Sequence, residues 1–392
     1  NVVSNPVDHI NPEWLATQTL ALVETPSVTM DEARVCEQFA DLMRDVGLDV
    51  DVREVSSGRN NLYARINGFG DGPSLLFNGH LDTIPIGDCI PPGREGDTIT
   101  GRGTTDMKGG MVSMLAVAQA LLQSETRLQG DVWITAVVGH EEPAADKDGP
   151  KALIEDLNSG RLGADRICIV EGLDALWVMS MGSMVWTVRL KSPQGGTHTQ
   201  YVAFKDNPIR YVGDLIKRIQ DRQSEMDEGD LHPLAGAERI DVGIVDAGDY
   251  FNRTPVVCEL TGTRRWGPGR TAGSCLTELE IMSAAVTAGS GLEVDATMVH
   301  NREPFETPQD DSAVEAFAQA HSQITGHDVD YVGLRIVGDA NLYVHGTGVP
   351  TFYYGPSNET AHSDNECVSV KRLVSATKVY AQAALQFCGE AT

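Results

Sequence analysis

The chain has 392 residues, more than one hydrophobic core usually supports, so two domains are expected. Thirty basic against 56 acidic residues give a formal charge of -26, which argues against a nucleic-acid backbone or an anionic membrane surface as partner. Seven scattered cysteines without a CxxC pair argue against a disulfide scaffold and against a structural zinc knuckle.

The opening stretch, NVVSNPVDHINPEW, lacks the basic and apolar blocks of a signal peptide, and no run of about eighteen apolar residues occurs. A soluble, cytoplasmic protein is expected. Asn11 and Pro12 open a helix carrying Trp14, Leu15, Leu20 and Leu22. A second helix spans about Asp31 to Val46, with Val35, Phe39 and Leu42 at helical spacing. Short apolar runs follow: SLLFNG from Ser74, VWITAVVG from Val132, RICIV from Arg166 and VPTFYYG from Val349. Between the first two lies MVSMLAVAQALLQ, apolar nearly all round, as a buried helix is. Buried strands separated by helices predict an α/β fold with a mixed, mostly parallel sheet flanked by helices.

The middle of the chain reads differently. MVWTVRLK, the helical PIRYVGDLIKRIQDRQ, VVCELTGTRRW and LEVDATMV form the pattern of a smaller α+β module. DSAVEAFAQAHSQIT then returns to helix, and a last helix runs from about Lys371 to Phe387. The expectation is a catalytic domain of residues 1–182 plus 299–392, interrupted by an inserted domain of residues 183–298.

In open parallel sheets, sites form beyond the carboxyl ends of the strands. SLLFNG runs into His80 and Asp82, VWITAVVGH into Glu141 and Glu142, RICIV into Glu171, and TFYYGPSNETA into His362. GRGTTDMKGG delivers Asp106 just before the long apolar helix. Two histidines with several carboxylates, and no cysteine, suit one or two divalent ions such as zinc, manganese or cobalt with positions left open for water.

NGHLDT, GRGTTDMKGG, GHEEP, IVEG and AHSDNE, in this order, resemble the cocatalytic metal-dependent exopeptidases and deacylases, among them carboxypeptidase G, succinyl-diaminopimelate desuccinylase, acetylornithine deacetylase and the aminoacylases. The resemblance implies a phosphorylase/hydrolase-like catalytic domain with an inserted lid or dimerisation domain. It implies two divalent ions, zinc first and manganese or cobalt next. His80, Asp106 and Glu171 would hold one ion, and Asp106, Glu142 and His362 the other, with Asp106 bridging. Asp82 would orient His80, Glu141 would be the general base beside a metal-activated water, and the Asp106–Met107 peptide would be cis. His198, in SPQGGTHTQ, would steady the oxyanion in the partner's active site of a homodimer or of a higher oligomer of dimers. Arg265, in TRRWGP, would grip a substrate carboxylate, with Arg264 as its rival and Asn252 as a further contact.

Each assignment has a plainer counterpart. A Glu-Glu pair is ordinarily a solvated loop, Asp82 can be a capping residue, His140 a packing residue and Arg265 a surface ion-pair partner. Asp339 and Asn341, in GDANLY, form a turn to which no chemistry is given. The reading is a hydrolase cleaving an amide bond near a free carboxylate, as in an N-acyl amino acid or dipeptide. An enzyme releasing ammonia from an aromatic or ureido amine, and a binding protein with a decayed site, are the alternatives.

Overall fold

The computed structural model describes residues 5–390. Residues 1–4, the start of the stretch read for a leader, lie outside the described residues. The chain forms two compact units. The first runs through Val178 and takes in Thr307–Val332 and Leu342 onward, while the second comprises Met179–Glu306 and Gly333–Asn341. No helix among the described residues is long and apolar enough to cross a membrane.

The first unit opens with helix α1, Pro12–Val23, where Asn11 Oδ1 accepts from the backbone N–H groups of Glu13 and Trp14 and proline occupies the first turn. Helix α2, Ala33–Asp45, precedes a hairpin of β1, Asp51–Ser56, and β2, Arg59–Ile66. The apolar runs become β3, Leu75–His80, then β6, Val132–Val137, and β7, Arg166–Ile169. The short strands β4, Gly93–Glu95, and β5, Thr98–Thr100, lie between them in the chain, as does helix α3, Gly109–Gln123, and helix α4, Asp148–Ser159, precedes β7. Strand β8, Leu176–Ser180, leads out of the unit.

The strand order is β1-β2-β6-β3-β7-β15-β8, with β15 spanning Thr351–Tyr353. The pairs β6–β3, β3–β7 and β7–β15 are parallel, and antiparallel strands extend the sheet on either side. The parallel centre is buried on both faces, which is why its strands read as continuous apolar runs. The Asp51–Ile66 hairpin carries no such run, and sequence reading passed over it. Helix α3 is buried on all sides from Gly109 to Ala118, and Gly110 lets it dock: a Cβ there would meet the Val170 carbonyl oxygen at 1.9 Å. That approach puts the start of α3 against the end of β7.

The second unit holds a four-stranded antiparallel sheet in the order β10-β11-β9-β12, from β9, Gly182–Lys191, β10, Arg239–Ala247, β11, Val257–Trp266, and β12, Glu293–Arg302. Helices α5, Val212–Asp227, and α6, Ala272–Val286, bury Leu215, Ile219, Cys275 and Leu279 in one core with Trp186, Leu260 and Trp266. Beyond it come β13, Phe305–Glu306, helix α7, Ser312–Thr325, β14, Tyr331–Leu334, helix α8, Asp339–Thr347, β16, Cys367–Ser369, and helix α9, Val370–Cys388.

Candidate metal centre

The four parallel neighbours β6, β3, β7 and β15 explain why residues far apart in the chain meet. His80 ends β3, Glu141 follows β6, Glu171 follows β7, and the segment after β15 brings His362. Asp106 arrives on a kinked turn, Thr104–Lys108, at the start of α3, where Asp106 and Met107 have non-helical dihedrals, and the Asp106–Met107 peptide is cis.

Asp106 is the hub. Its Oδ1 lies 3.0 Å from His80 Nε2 and its Oδ2 lies 3.1 Å from His362 Nε2, so each oxygen faces a different histidine. Glu141 Oε1 is 3.3 Å from His362 Nε2. Ligand atoms of His80, Asp106 and Glu141 lie within 4.8 Å of one another, as do those of His80, His140 and Glu171. Glu142 contributes to neither group among the described residues. His362 adopts a left-handed backbone, φ 62°, unusual for a residue with a Cβ and found disproportionately at functional sites.

Charges in the cluster shift one another. Burial works to raise the Asp106 pKa, but hydrogen bonds with His362 and His80 outweigh it and hold the carboxyl well below its ordinary range. The Asp106 and Glu141 contacts raise the His362 pKa to about 10. Burial opposes protonation of His80, yet Asp106, Asp82 and Glu141 together push its pKa up. Burial, then the charge of Asp106, lifts Glu171 to about 7. So much negative charge gathered in a poorly hydrated place is what a cation would relieve.

Asp82 meets His80 through its backbone carbonyl, which accepts from Nδ1 at 2.8 Å. Neutral His80 therefore presents its Nε2 lone pair. The Asp82 carboxylate does something else: Oδ1 accepts the His140 N–H at 3.0 Å and Oδ2 accepts the Glu141 N–H at 2.9 Å and the Thr29 hydroxyl at 2.7 Å. Glu32, fully buried, accepts the Gly139 N–H at 3.0 Å and is gripped by Arg59, which also holds Asp148. Three successive backbone donors ahead of Glu142 are thus fixed by two carboxylates. Neither Glu32 nor Arg59 was singled out from the sequence, where each is one charged residue among many.

The ring of His140 stacks on that of His80, with centroids 4.1 Å apart and planes 7° from parallel. Lone pairs in parallel planes do not converge on one ion about 2.0–2.1 Å from both nitrogens, so His140 braces His80 rather than sharing its ion. Lys108, buried beside the cluster, donates to the Leu22 and Thr25 carbonyls at 3.0 and 2.8 Å, and burial brings its pKa down to about 7.

In the second unit, His198 and Asn252 come together. His198 Nδ1 accepts the Gln200 N–H at 3.2 Å, and Nε2 lies 3.2 Å from Asn252 Nδ2, so a neutral ring with its proton on Nε2 requires the Asn252 amide turned to present its oxygen. Arg264 and Arg265, adjacent on β11, part company. Arg264 is fully buried, donates to Glu238 at 2.6 Å and Glu278 at 3.2 Å, and also reaches the Arg265 carbonyl. Arg265 is half-buried and its Nη1 has no hydrogen-bond partner. Burial alone lowers its pKa. Asn341 donates to the Glu303 carbonyl at 2.7 Å and accepts the Gly338 N–H, a structural turn.

The family model for peptidase family M20/M25/M40 matches residues 76–386. A succinyl-diaminopimelate desuccinylase of Cereibacter sphaeroides is 29% identical over 378 residues, covering 92% of this chain and 96% of that protein. The aminopeptidase PepT of Bacillus cereus has a similar structure, with a TM-score of 0.81 at 19% identity over 97% of this chain and 100% of that one. So has the YXEP protein of Bacillus subtilis, described as a dinuclear metal-binding peptidase from the M20 family, with a TM-score of 0.71 at 17% identity over 95% and 97% of the two chains. These three are named for cleaving acyl or peptidyl groups, and the ammonia-releasing alternative is not favoured.

Proposed function

Because the chain belongs to peptidase family M20/M25/M40, and is a metal-dependent hydrolase of amide bonds in small acyl amino acids or peptides, we propose that its first unit holds two divalent ions and its second grips a free carboxylate of the substrate. The observation that carries this reading is Asp106, whose two oxygens face His80 and His362 at 3.0 and 3.1 Å. Imidazole and carboxylate donors without thiolate suit zinc first, then manganese or cobalt. His80, Asp106 and Glu171 would hold one ion, and Asp106, Glu142 and His362 the other. When bound, such ions supply an activated water and polarise the amide carbonyl.

Glu141 takes up a proton and delivers it to the leaving nitrogen. Its backbone fixed by Asp82, and its carboxylate 3.3 Å from His362, support that role. His198 offers Nε2–H to the developing oxyanion, with its Nδ1 fixed by the Gln200 N–H, and Asn252 beside it is a further substrate contact. Arg265, with one nitrogen unpartnered, binds the substrate carboxylate through its planar fork. We place the protein as a cytoplasmic homodimer joined through the second unit, which sedimentation and cell fractionation can check.

The test is removal of metal. Protein stripped with a chelator should lose turnover of N-acyl amino acids and dipeptides to background, and zinc, manganese or cobalt should restore it. Full activity in stripped protein would sink the proposal.

A further inference from the structure

The segment carrying His362 also contains Glu366, which is fully buried and takes no place in the ligand cluster. Its Oε1 accepts the backbone N–H groups of Gly103 at 2.9 Å, Thr105 at 3.1 Å and Asp106 at 3.2 Å, and the Thr105 hydroxyl at 3.3 Å. Its Oε2 accepts from Arg102 at 2.8 Å. The two stretches interlock further, since Arg102 also donates to the Ser363 carbonyl at 3.0 Å and the Gly101 N–H donates to the Glu366 carbonyl at 3.0 Å. Backbone N–H groups that converge this way form a concavity suited to an anion. Gly103 makes the convergence possible: its φ is 90°, and a Cβ there would meet Thr83 Cγ2 at 2.9 Å.

Four donors on one oxygen require a charged acceptor, because a neutral amide oxygen gains less from each and its NH2 group would face Arg102. We propose that Glu366 is the positioning residue for the bridging aspartate, riveting the Asp106 turn to the His362 segment so that two of the second ion's three ligands are set before it binds. The inference rests on the two-ion reading above. Glu366 touches no substrate and no ion. It acts through the backbone of Asp106, much as outer partners hold first ligands in place elsewhere.

Wild type and Glu366→Gln, stripped with a chelator, would be titrated with Mn(II) alone, with calorimetry and electron paramagnetic resonance counting the ions. Amide hydrogen exchange at Gly103, Thr105 and Asp106 would be followed on the stripped proteins. Both Mn(II) ions share Asp106 and should weaken, the one held with His362 by about 10- to 100-fold and the other by less. The three amides should exchange faster, and at saturating Mn(II) kcat should fall with KM unchanged. Both ions binding as in wild type, or both weakening equally with unchanged amide exchange, would overturn the proposal. Should Glu366→Gln fail to fold, Thr105→Val removes a single donor, and a weakening of the ion held with His362 by about three- to tenfold is expected; binding of both ions as in wild type would overturn it. A wild type that takes up no Mn(II) would sink the two-ion reading instead, and the exchange rates alone would then judge the clamp.

Discussion

The ligand cluster of the first unit and the recognition residues we propose for the second are built on opposite plans. Around His80, Asp106 and Glu141, backbone donors are already spent on buried carboxylates: Glu32 and Asp82 on one loop, Glu366 on the other. On the second unit, Arg265 keeps a nitrogen without a partner and His198 is exposed. Groups that must hold fixed geometry are over-determined by their surroundings. Under the proposed reading Arg265 keeps hydrogen-bonding capacity in reserve for a substrate, and its buried unpaired donor costs stability until a ligand arrives.

That contrast can be broken by substitution. Glu141→Gln should lower kcat by about a hundred- to ten-thousandfold while metal content stays at the wild-type level. Glu142→Gln should instead lose metal, and the reverse pattern would exchange the two roles. Arg264→Ala leaves Glu238 with Arg270 and Glu278 with Arg270 and Arg222, and should destabilise the second unit by about 1.5 to 3 kcal/mol, read in thermal or denaturant unfolding. His198→Ala should cost about a hundred- to a thousandfold in kcat, without a comparable loss of stability. Arg265→Ala is the mildest: KM for a carboxylate-bearing substrate should rise by about 10- to 100-fold, as loss of a hydrogen bond to a charged group implies, with little change for an amidated analogue. If Arg264 and Arg265 gave the same outcome, the distinction between a committed and a reserved guanidinium would fail.

The sequence revealed the first plan only in part. The apolar runs ahead of His80, Glu141 and Glu171 were legible because their strands are parallel, adjacent and buried on both faces. The Asp51–Ile66 hairpin was not, since DVREVSSGRNNLYARI mixes charged and apolar residues without a continuous run. The carboxylate clamps were invisible because their partners are remote in the chain: Glu32 meets Gly139, and Glu366 meets Gly103. Nothing local marks such a pairing. Glu366 did lie within the quoted AHSDNE, where an acid four residues past a candidate ligand was the available hint. Arg264 and Arg265 are neighbours on a strand and so face opposite ways, but nothing local marks which one faces the core.

Strand β15 lies between β7 and β8 in the sheet, although some 180 residues separate it in the chain from the first of them and its own sequence begins only at Thr351. A nascent chain on the ribosome therefore has its inserted four-stranded sheet in hand once Arg302 has emerged, while the earlier sheet still has a gap. Truncated or stalled products ending before Thr351 expose β7 along an apolar edge, which makes them candidates for chaperone capture and aggregation.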